Sequence, residues 1–223
     1  MKAPIRNILF DLDGTLVDSS ETIAACIAYA LRELRLETEC RTPLRSMIGL
    51  PLLDIFREHY GLEDEPARSA IDIYRARYDA LAQAGTRVYE DVQAVLAALR
   101  GDGLRLFLAT VKPAPIAENV LRDLGLRDYF EGVAGSSMDH RLRSKTAIIG
   151  YVLETWSLQP AHSLMIGDRG QDIEGARANG LRSVGVAYGF GSLEELQAAA
   201  PDHLVTSARE IPAIITASYS PSQ

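Results

Sequence analysis

Short apolar runs alternate with amphipathic helical repeats along most of this chain. The apolar runs predict buried strands at residues 8–10, 104–109, 132–135, 164–166, 183–186 and 203–205. Between them apolar residues recur at helical spacing, as in Val92, Val95 and Leu99. Strands that alternate with helices predict an α/β protein in which a mostly parallel sheet is covered by helices on both faces.

One long segment interrupts this alternation and shows helical spacing alone. It covers residues 18–86, where Ile23 and Ile27 begin an apolar stripe that continues along a predicted helix. We therefore predict two domains. Residues 1–17 and 87–223 form the α/β core, and the helical domain of residues 18–86 is inserted after the first strand.

Composition and charge indicate an ordinary globular protein and leave a small anion, held through a metal, as a possible ligand. The chain is 47% hydrophobic and 24% charged, as is usual for globular proteins. Its net charge of −7 disfavours nucleic acid as a partner, because such binding draws on clustered lysine and arginine. No segment approaches the length of a membrane span.

The cysteines indicate the compartment. Cys26 and Cys40 lack the spacing of a disulfide scaffold or a zinc site, so a reducing cytoplasm fits best. We expect a cytoplasmic monomer or homodimer.

Two carboxylates directly follow the first predicted strand, in the run FDLDGTLVDS. Alternation along the strand sends Asp11 and Asp13 to the same side, and Gly14 allows a sharp turn that brings backbone N–H groups toward an anion. Asp and Gly are also ordinary turn residues. At the end of a strand in a parallel sheet, however, two carboxylates beside backbone amides suit a phosphate bound with Mg²⁺.

Polar residues follow the other predicted strands as well. Thr110 follows the second strand, and Ser136 and Ser137 follow the third. Asp168 follows the fourth strand, and Asp172 lies four residues later at the start of a helix, where it could also simply stabilise the helix dipole. Because the carboxyl ends of parallel strands share one edge of the sheet, we expect these residues to converge on one cleft.

The few lysines fall near the same edge. Of the 23 basic residues only Lys2, Lys112 and Lys145 are lysines. Lys145 begins the helix after the third strand, where the helix dipole disfavours a positive charge, so we expect it to have a carboxylate or phosphate partner. Lys112 is expected to be a loop charge near the substrate.

Taken in order, these motifs resemble those of the haloacid dehalogenase superfamily of aspartate-nucleophile phosphotransferases. The resemblance covers about residues 5–210, and includes the GDxxxD pattern of Gly167–Asp172. It implies a Rossmann-like parallel core with an inserted α-helical cap. Within the superfamily the chain looks like phosphoglycolate phosphatase and related phosphatases, some of which are 5′-nucleotidases.

The resemblance also implies roles for the candidate residues. Asp11 would be the nucleophile and Asp13 the general acid and base. Lys145 would bridge the nucleophile and the transferred phosphoryl group. Mg²⁺ would be the cofactor, with Asp11, the backbone carbonyl of Asp13, and Asp168 as ligands and Asp172 supporting the metal site.

The expected substrate contacts come from both domains. Thr110 would donate a hydrogen bond to the phosphoryl oxygens. Val111 departs from the pattern, because it stands where many family members have Asn or Ser, and it would bind substrate only through its backbone N–H. Lys112 lies beside them. In the helical domain, Arg45 and the turn at residues 48–51 are the candidate contacts, although an exposed helix arginine is the plainer interpretation of Arg45.

Three alternatives stay open at this point. The expected reaction is hydrolysis of a small phosphorylated metabolite such as phosphoglycolate, but a 5′-nucleotidase or a sugar phosphomutase would use the same residues. An inactive binding module of the same fold is disfavoured, because Asp11, Lys145 and Asp168 are all present. A dehalogenase is disfavoured because it has no need of Asp13.

Overall fold

The computed structural model describes residues 3–36, 43–137 and 142–217, so that Cys40 lies outside the described residues. The strands in these ranges are β1 Asn7–Phe10, β2 Val17–Asp18, β3 Arg87–Val88, β4 Arg105–Pro113, β5 Gly132–Ser136, β6 Ser163–Gly167, β7 Arg182–Val186 and β8 His203–Val205. Six of them form one sheet in the order β5–β4–β1–β6–β7–β8, and every neighbouring pair is parallel. The predicted parallel α/β architecture is confirmed.

Helices connect the strands and cover both faces of the sheet. They are α1 Ser20–Glu33, α2 Leu44–Met47, α3 Leu52–Asp54, α4 Asp64–Gly85, α5 Val92–Gly101, α6 Ala114–Asp123, α7 Lys145–Thr155, α8 Gly170–Ala178, α9 Leu193–Ala199 and α10 Ile211–Ala217. A π-helical turn, Ile55–His59, continues α3. None of the described helices has both the length and the apolar character needed to cross a membrane.

The central strand β1 shows why the sequence forms this sheet. All four of its residues are buried, because helices lie on both faces of the sheet. Ile8 and Phe10 belong to the larger apolar cluster on one face, whereas Leu9 packs with Phe107 and Met165 on the other. A continuous apolar run, rather than an alternating one, is therefore the correct signal for this strand.

The helices α1 to α4 lie between β2 and β3 in the chain. These two short strands pair antiparallel, with Val17 opposite Val88, and so bring the two ends of the helical segment together. Within the segment α1 packs along α4. The rings of Tyr74 and Tyr78 stack with their centres 5.7 Å apart in the buried interior.

Strand β4 is longer than its apolar run. The run ends at Ala109, but the strand continues to Pro113, and its pairing with β5 shifts register between Ala109 and Pro113. An irregularity of this kind re-aims the side chains that follow it. Thr110, Val111 and Lys112 therefore lie within the strand rather than in a loop after it.

Candidate active site

The carboxyl ends of β1, β4 and β6 bring three predicted site residues together at the centre of the sheet edge. Asp11 follows β1, Thr110 lies near the end of β4 and Asp168 follows β6. All three are buried, with at most 2% of their surface exposed. The Asp11 N–H donates to the carbonyl of Ile166 at 2.9 Å, which anchors the first turn onto β6.

A buried cluster of three carboxylates forms the floor of the site. Asp11, Asp168 and Asp172 each place an oxygen within 4.8 Å of the others. Burial, together with the charges of Asp11 and Asp172, raises the pKa of Asp168 to about 8. Burial also raises the pKa of Asp172 to about 6, although the neighbouring Lys145 opposes this shift. A buried set of oxygen donors with surplus negative charge suits a hard divalent cation.

The buried side chain of Lys145 contacts this carboxylate cluster. Its Nζ lies 2.7 Å from Asp11 Oδ1 and 2.8 Å from Asp172 Oδ1, and it donates to the carbonyl of Ala109 at 2.8 Å. The ammonium is thus surrounded by three oxygens, two of them from carboxylates. Burial disfavours the ammonium, but the charges of Asp11 and Asp172 outweigh burial, so the pKa of Lys145 lies above its ordinary value. The expected carboxylate partner at this helix start is present.

Asp168 is held by a tight backbone cradle. Thr15 Oγ1 donates to its Oδ1 at 3.1 Å and the Phe190 N–H donates to its Oδ2 at 2.8 Å. Gly14 has φ +86°, and a Cβ there would lie 2.1 Å from Asp168 Oδ2. A Cβ on Gly191 would lie 1.9 Å from the Asp168 carbonyl oxygen. Only glycine fits at these two positions, so the turn predicted at Gly14 also shapes the carboxylate cluster.

The side chain of Asp13 points to different partners from those of Asp11. It accepts from Ser19 Oγ at 2.6 Å and from Lys112 Nζ at 2.7 and 3.0 Å. Among the described residues, the clustered carboxylates within 4.8 Å of one another are those of Asp11, Asp168 and Asp172, and the Asp13 carboxylate is not part of this cluster. If Asp13 contributes to a metal site, its backbone carbonyl is therefore the group to do so.

Lys112 lies in β4 rather than in a loop and is enclosed by both parts of the chain. Beside its ion pair with Asp13, its Nζ lies 4.6 Å from the centre of the Tyr78 ring of α4. Burial acts against its charge, but Asp13 outweighs it and raises the pKa of Lys112. The predicted loop charge is thus a buried cation between the strand edge and the helical segment.

The remaining predicted contacts differ in where they lie. Thr110 Oγ1 accepts from the Lys112 N–H at 3.2 Å. Val111 packs its side chain against the apolar cluster of Leu9, so its backbone is what it offers the site. Arg45 is exposed and reaches the core at the rim of the site, with its guanidinium carbon 5.4 Å from the centre of the Phe190 ring. It is placed next to the cradle of Asp168 rather than among the carboxylates.

Two residues of the core that the sequence reasoning did not single out contact the helical segment. Arg169 Nη1 donates to the carbonyls of Ser46, at 3.2 Å, and Ile48. Gln171 Nε2 donates to the carbonyl of Gly49 at 2.9 Å. The available signal was an Arg and a Gln interleaved between the acids of the GDxxxD pattern, where neither is needed for the carboxylate cluster.

Comparisons with known proteins identify the family of this chain. The model of the haloacid dehalogenase-like hydrolase family matches residues 8–186. The chain is 39% identical to a 5′-nucleotidase of Pseudomonas aeruginosa, over 88% of this chain and 89% of that protein. It is 30% identical to a phosphoglycolate phosphatase of Salmonella typhimurium, over 93% of this chain and 91% of that protein.

A solved structure gives the same result for the fold. The crystal structure of a protein described as a predicted phosphatase from Clostridium acetobutylicum superposes with a TM-score of 0.90 and 37% identity, covering 96% of this chain and all of that one. The chain belongs to the haloacid dehalogenase-like hydrolase family. It is an enzyme of the phosphatase type within that family.

Proposed function

We propose that this enzyme is a Mg²⁺-dependent phosphomonoester hydrolase that works through an aspartyl phosphate on Asp11. The observation that supports this most is the buried Lys145, which touches Asp11 Oδ1 at 2.7 Å beside the carboxylate cluster. A nucleophilic carboxylate needs a fixed cation next to it, because the phosphate that it attacks is itself negative.

Asp11 is the proposed nucleophile because its position is fixed on both sides. Its N–H is held by Ile166 on β6, and its Oδ1 is held by Lys145. Its Oδ2 is then the oxygen that we assign to attack on phosphorus. Lys145 is held in turn by Asp172 and Ala109, so its ammonium stays at the point where negative charge develops.

Asp13 is the proposed acid and base. In the first half-reaction the P–O bond of the ester breaks as Asp11 attacks, and Asp13 gives its proton to the departing oxygen. In the second half-reaction Asp13 takes a proton from water as that water attacks phosphorus, which releases inorganic phosphate and restores Asp11. Ser19 and Lys112 hold the Asp13 carboxylate in one orientation for both steps.

The residues fit a divalent metal at the cluster. Asp11 and Asp168, with the Asp13 carbonyl, would hold Mg²⁺, which prefers oxygen donors and would neutralise phosphoryl charge when bound. Asp172 contacts Lys145 through Oδ1 and accepts from the Arg169 N–H through Oδ2. We therefore propose that it organises the site rather than binding the metal.

The helical segment is the proposed cap, residues 18–86, and the proposed source of specificity. It brings Tyr78 onto Lys112 and Arg45 onto the loop at Phe190, so it closes over the strand edge from two sides. The substrate would be a small phosphorylated metabolite that the enzyme meets in the cytoplasm. Phosphoglycolate is the first candidate, and the 30% identity to a phosphoglycolate phosphatase supports it.

A 5′-nucleotide is the second candidate substrate. The 39% identity to a 5′-nucleotidase, which covers 88% of this chain, favours it over a sugar phosphomutase reaction. The two candidates differ in the size of the leaving group that the cap must accommodate.

Phosphate release by the purified enzyme from phosphoglycolate, nucleoside 5′-monophosphates, sugar phosphates and pyrophosphate tests the proposal. We expect hydrolysis that stops with a chelator and returns with Mg²⁺, and that is lost in Asp11→Asn. Isomerisation of a sugar phosphate without phosphate release would instead identify a mutase. Full activity in Asp11→Asn would contradict the aspartyl phosphate.

A further inference from the structure

The two residues before α8 and the first turn of α8 face two different partners. Asp168 and Asp172 point to the carboxylate cluster, whereas Arg169 and Gln171 point to the helical segment. Arg169 is nine-tenths buried although it is charged, so its contacts must compensate for lost hydration. These contacts define a docking loop, residues 46–49 of the helical segment.

The contacts of Arg169 span the boundary between the two parts of the chain. Its Nη1 donates to the carbonyls of Ser46 and Ile48, and its Nε is held by Glu195 Oε1 at 2.9 Å. Glu195 also accepts from the Gly170 N–H at 2.7 Å. The core therefore holds the guanidinium through a contact that does not involve the docking loop.

Gln171 and Arg45 complete the same boundary. Gln171 Nε2 donates to the Gly49 carbonyl at 2.9 Å, and Gly49, with φ +93°, takes a backbone conformation that side chains disfavour. From the other side, Arg45 stacks on Phe190, the residue whose N–H holds Asp168. The docking loop is thus tied to the same stretch of core that carries two of the clustered carboxylates.

We propose that Arg169 and Gln171 are positioning residues that hold the docking loop in the closed arrangement required by esters that depend on the cap. This rests on the proposed phosphatase function and assigns the cap contact within it. Neither residue belongs to the carboxylate cluster or to the proposed phosphate contacts. They set the fraction of enzyme in which the loop is docked, and the apparent affinity for such an ester scales with that fraction.

Gln171→Leu is the first test, because it removes one donor and preserves the size of a half-buried side chain. We expect KM for whichever of phosphoglycolate and AMP is hydrolysed to rise measurably but by no more than about tenfold, the worth of one hydrogen bond, with kcat nearly unchanged. Gln171→Glu, which turns a carboxylate toward the Gly49 carbonyl, should raise KM further. Hydrolysis of p-nitrophenyl phosphate, an activated ester, and the affinity for Mg²⁺ should change by less than about twofold.

Hydrogen exchange of the full-length protein gives a readout that does not require activity. The Leu50 N–H donates to the Met47 carbonyl at 3.0 Å and the Ser46 N–H to the Pro43 carbonyl at 3.0 Å. Both amides should exchange faster in Gln171→Leu by about two- to tenfold, the worth of one hydrogen bond, which is at least the factor by which KM rises. Amides of α7 should keep their wild-type rates.

Arg177→Leu is the matched control on the same helix. Arg177 donates to the carbonyls of Ala199 and Ala200 within the core, so this variant should leave both KM and exchange of the docking loop unchanged. Unchanged KM and exchange in both Gln171 variants would overturn the proposal, as would an equal loss on all esters together with weaker Mg²⁺ binding. If the wild type hydrolyses no ester, the phosphatase proposal fails while the exchange experiment still decides the docking.

Discussion

Replacing Lys145 by Met tests the centre of the site most directly. The side chain is buried, and its Nζ contacts Asp11, Asp172 and the Ala109 carbonyl. Methionine fills a similar volume without the charge, so the packing is preserved while two carboxylates lose their cation. The variant isolates the electrostatic contribution of the ammonium.

The expected cost depends on pH. At pH 9 Asp168 and Asp172, with pKa values of about 8 and 6, are mainly ionised, and removing one partner of a buried ion pair costs about 3–5 kcal/mol. For a chain of this length that lowers Tm by about 6–20 °C. At pH 5 Asp172, with a pKa of about 6, is already mostly protonated, so Lys145 has lost one of its two anionic partners and the cost should be smaller than at pH 9.

Thermal unfolding of wild type and Lys145→Met across this pH range, with a chelator present, measures the difference. Lys112→Met is the matched control, because it removes another buried lysine that pairs with a single carboxylate, Asp13. Its cost should be smaller and should change less over the same range. Lys145→Arg should recover part of the stability but not the activity, since a planar fork does not replace a compact ammonium. A cost for Lys145→Met below about 1 kcal/mol at pH 9, or one independent of pH, would refute the reasoning.

Three further outcomes are expected. Because the folded pKa of Asp168 is raised to about 8 from 3.8, its contribution to stability is fully present below pH 4 and is lost as pH rises to 8. Metal-free protein should therefore be less stable to urea at pH 8 than at pH 6, whereas Mg²⁺ should bind more tightly at pH 8. A free energy of unfolding that does not change with pH, or that changes equally in Asp168→Asn, contradicts this. Gly14→Ala should weaken Mg²⁺ binding and lower Tm more than Gly103→Ala, which shares a positive φ but has open space around it, so equal losses would show strain alone. Asp13→Asn should slow hydrolysis of an alkyl phosphate far more than that of p-nitrophenyl phosphate, whose departure needs less proton assistance, and equal losses would exclude the acid role.

The sheet was predictable because burial on both faces leaves a direct trace in the sequence. A strand such as β1 must be apolar at every position, and the polar residue that follows it then marks the exposed edge. Asp11 and Asp168 could be placed together on this ground alone, since neighbouring parallel strands bring their ends to one side. The partner of Lys145 followed from the unfavourable position of a cation at a helix start.

The end of β4 was harder to predict, because strand pairing continues there beyond the last apolar residue. The strand continues past its apolar run through Thr110 and Lys112, held by a shifted register with β5 that leaves no periodic signal. Lys112 lies in this irregular stretch and pairs with Asp13, 99 residues away in sequence. A lysine in a polar stretch reads as a loop charge, and only the fold turns it into a buried one.

The contact between the helical segment and the core is even harder to predict from the sequence, for a chemical reason. Its acceptors are the backbone carbonyls of Ser46, Ile48 and Gly49, and a carbonyl is offered by every residue type. Only the donors carry a signature: Arg169 and Gln171 stand in a motif whose chemistry needs neither of them. A side chain with hydrogen-bonding capacity beyond the demands of its own motif therefore points to a contact outside it. By this criterion the pattern GDRGQD serves two functions. Its two aspartates belong to the carboxylate cluster, and its Arg and Gln bind the helical segment.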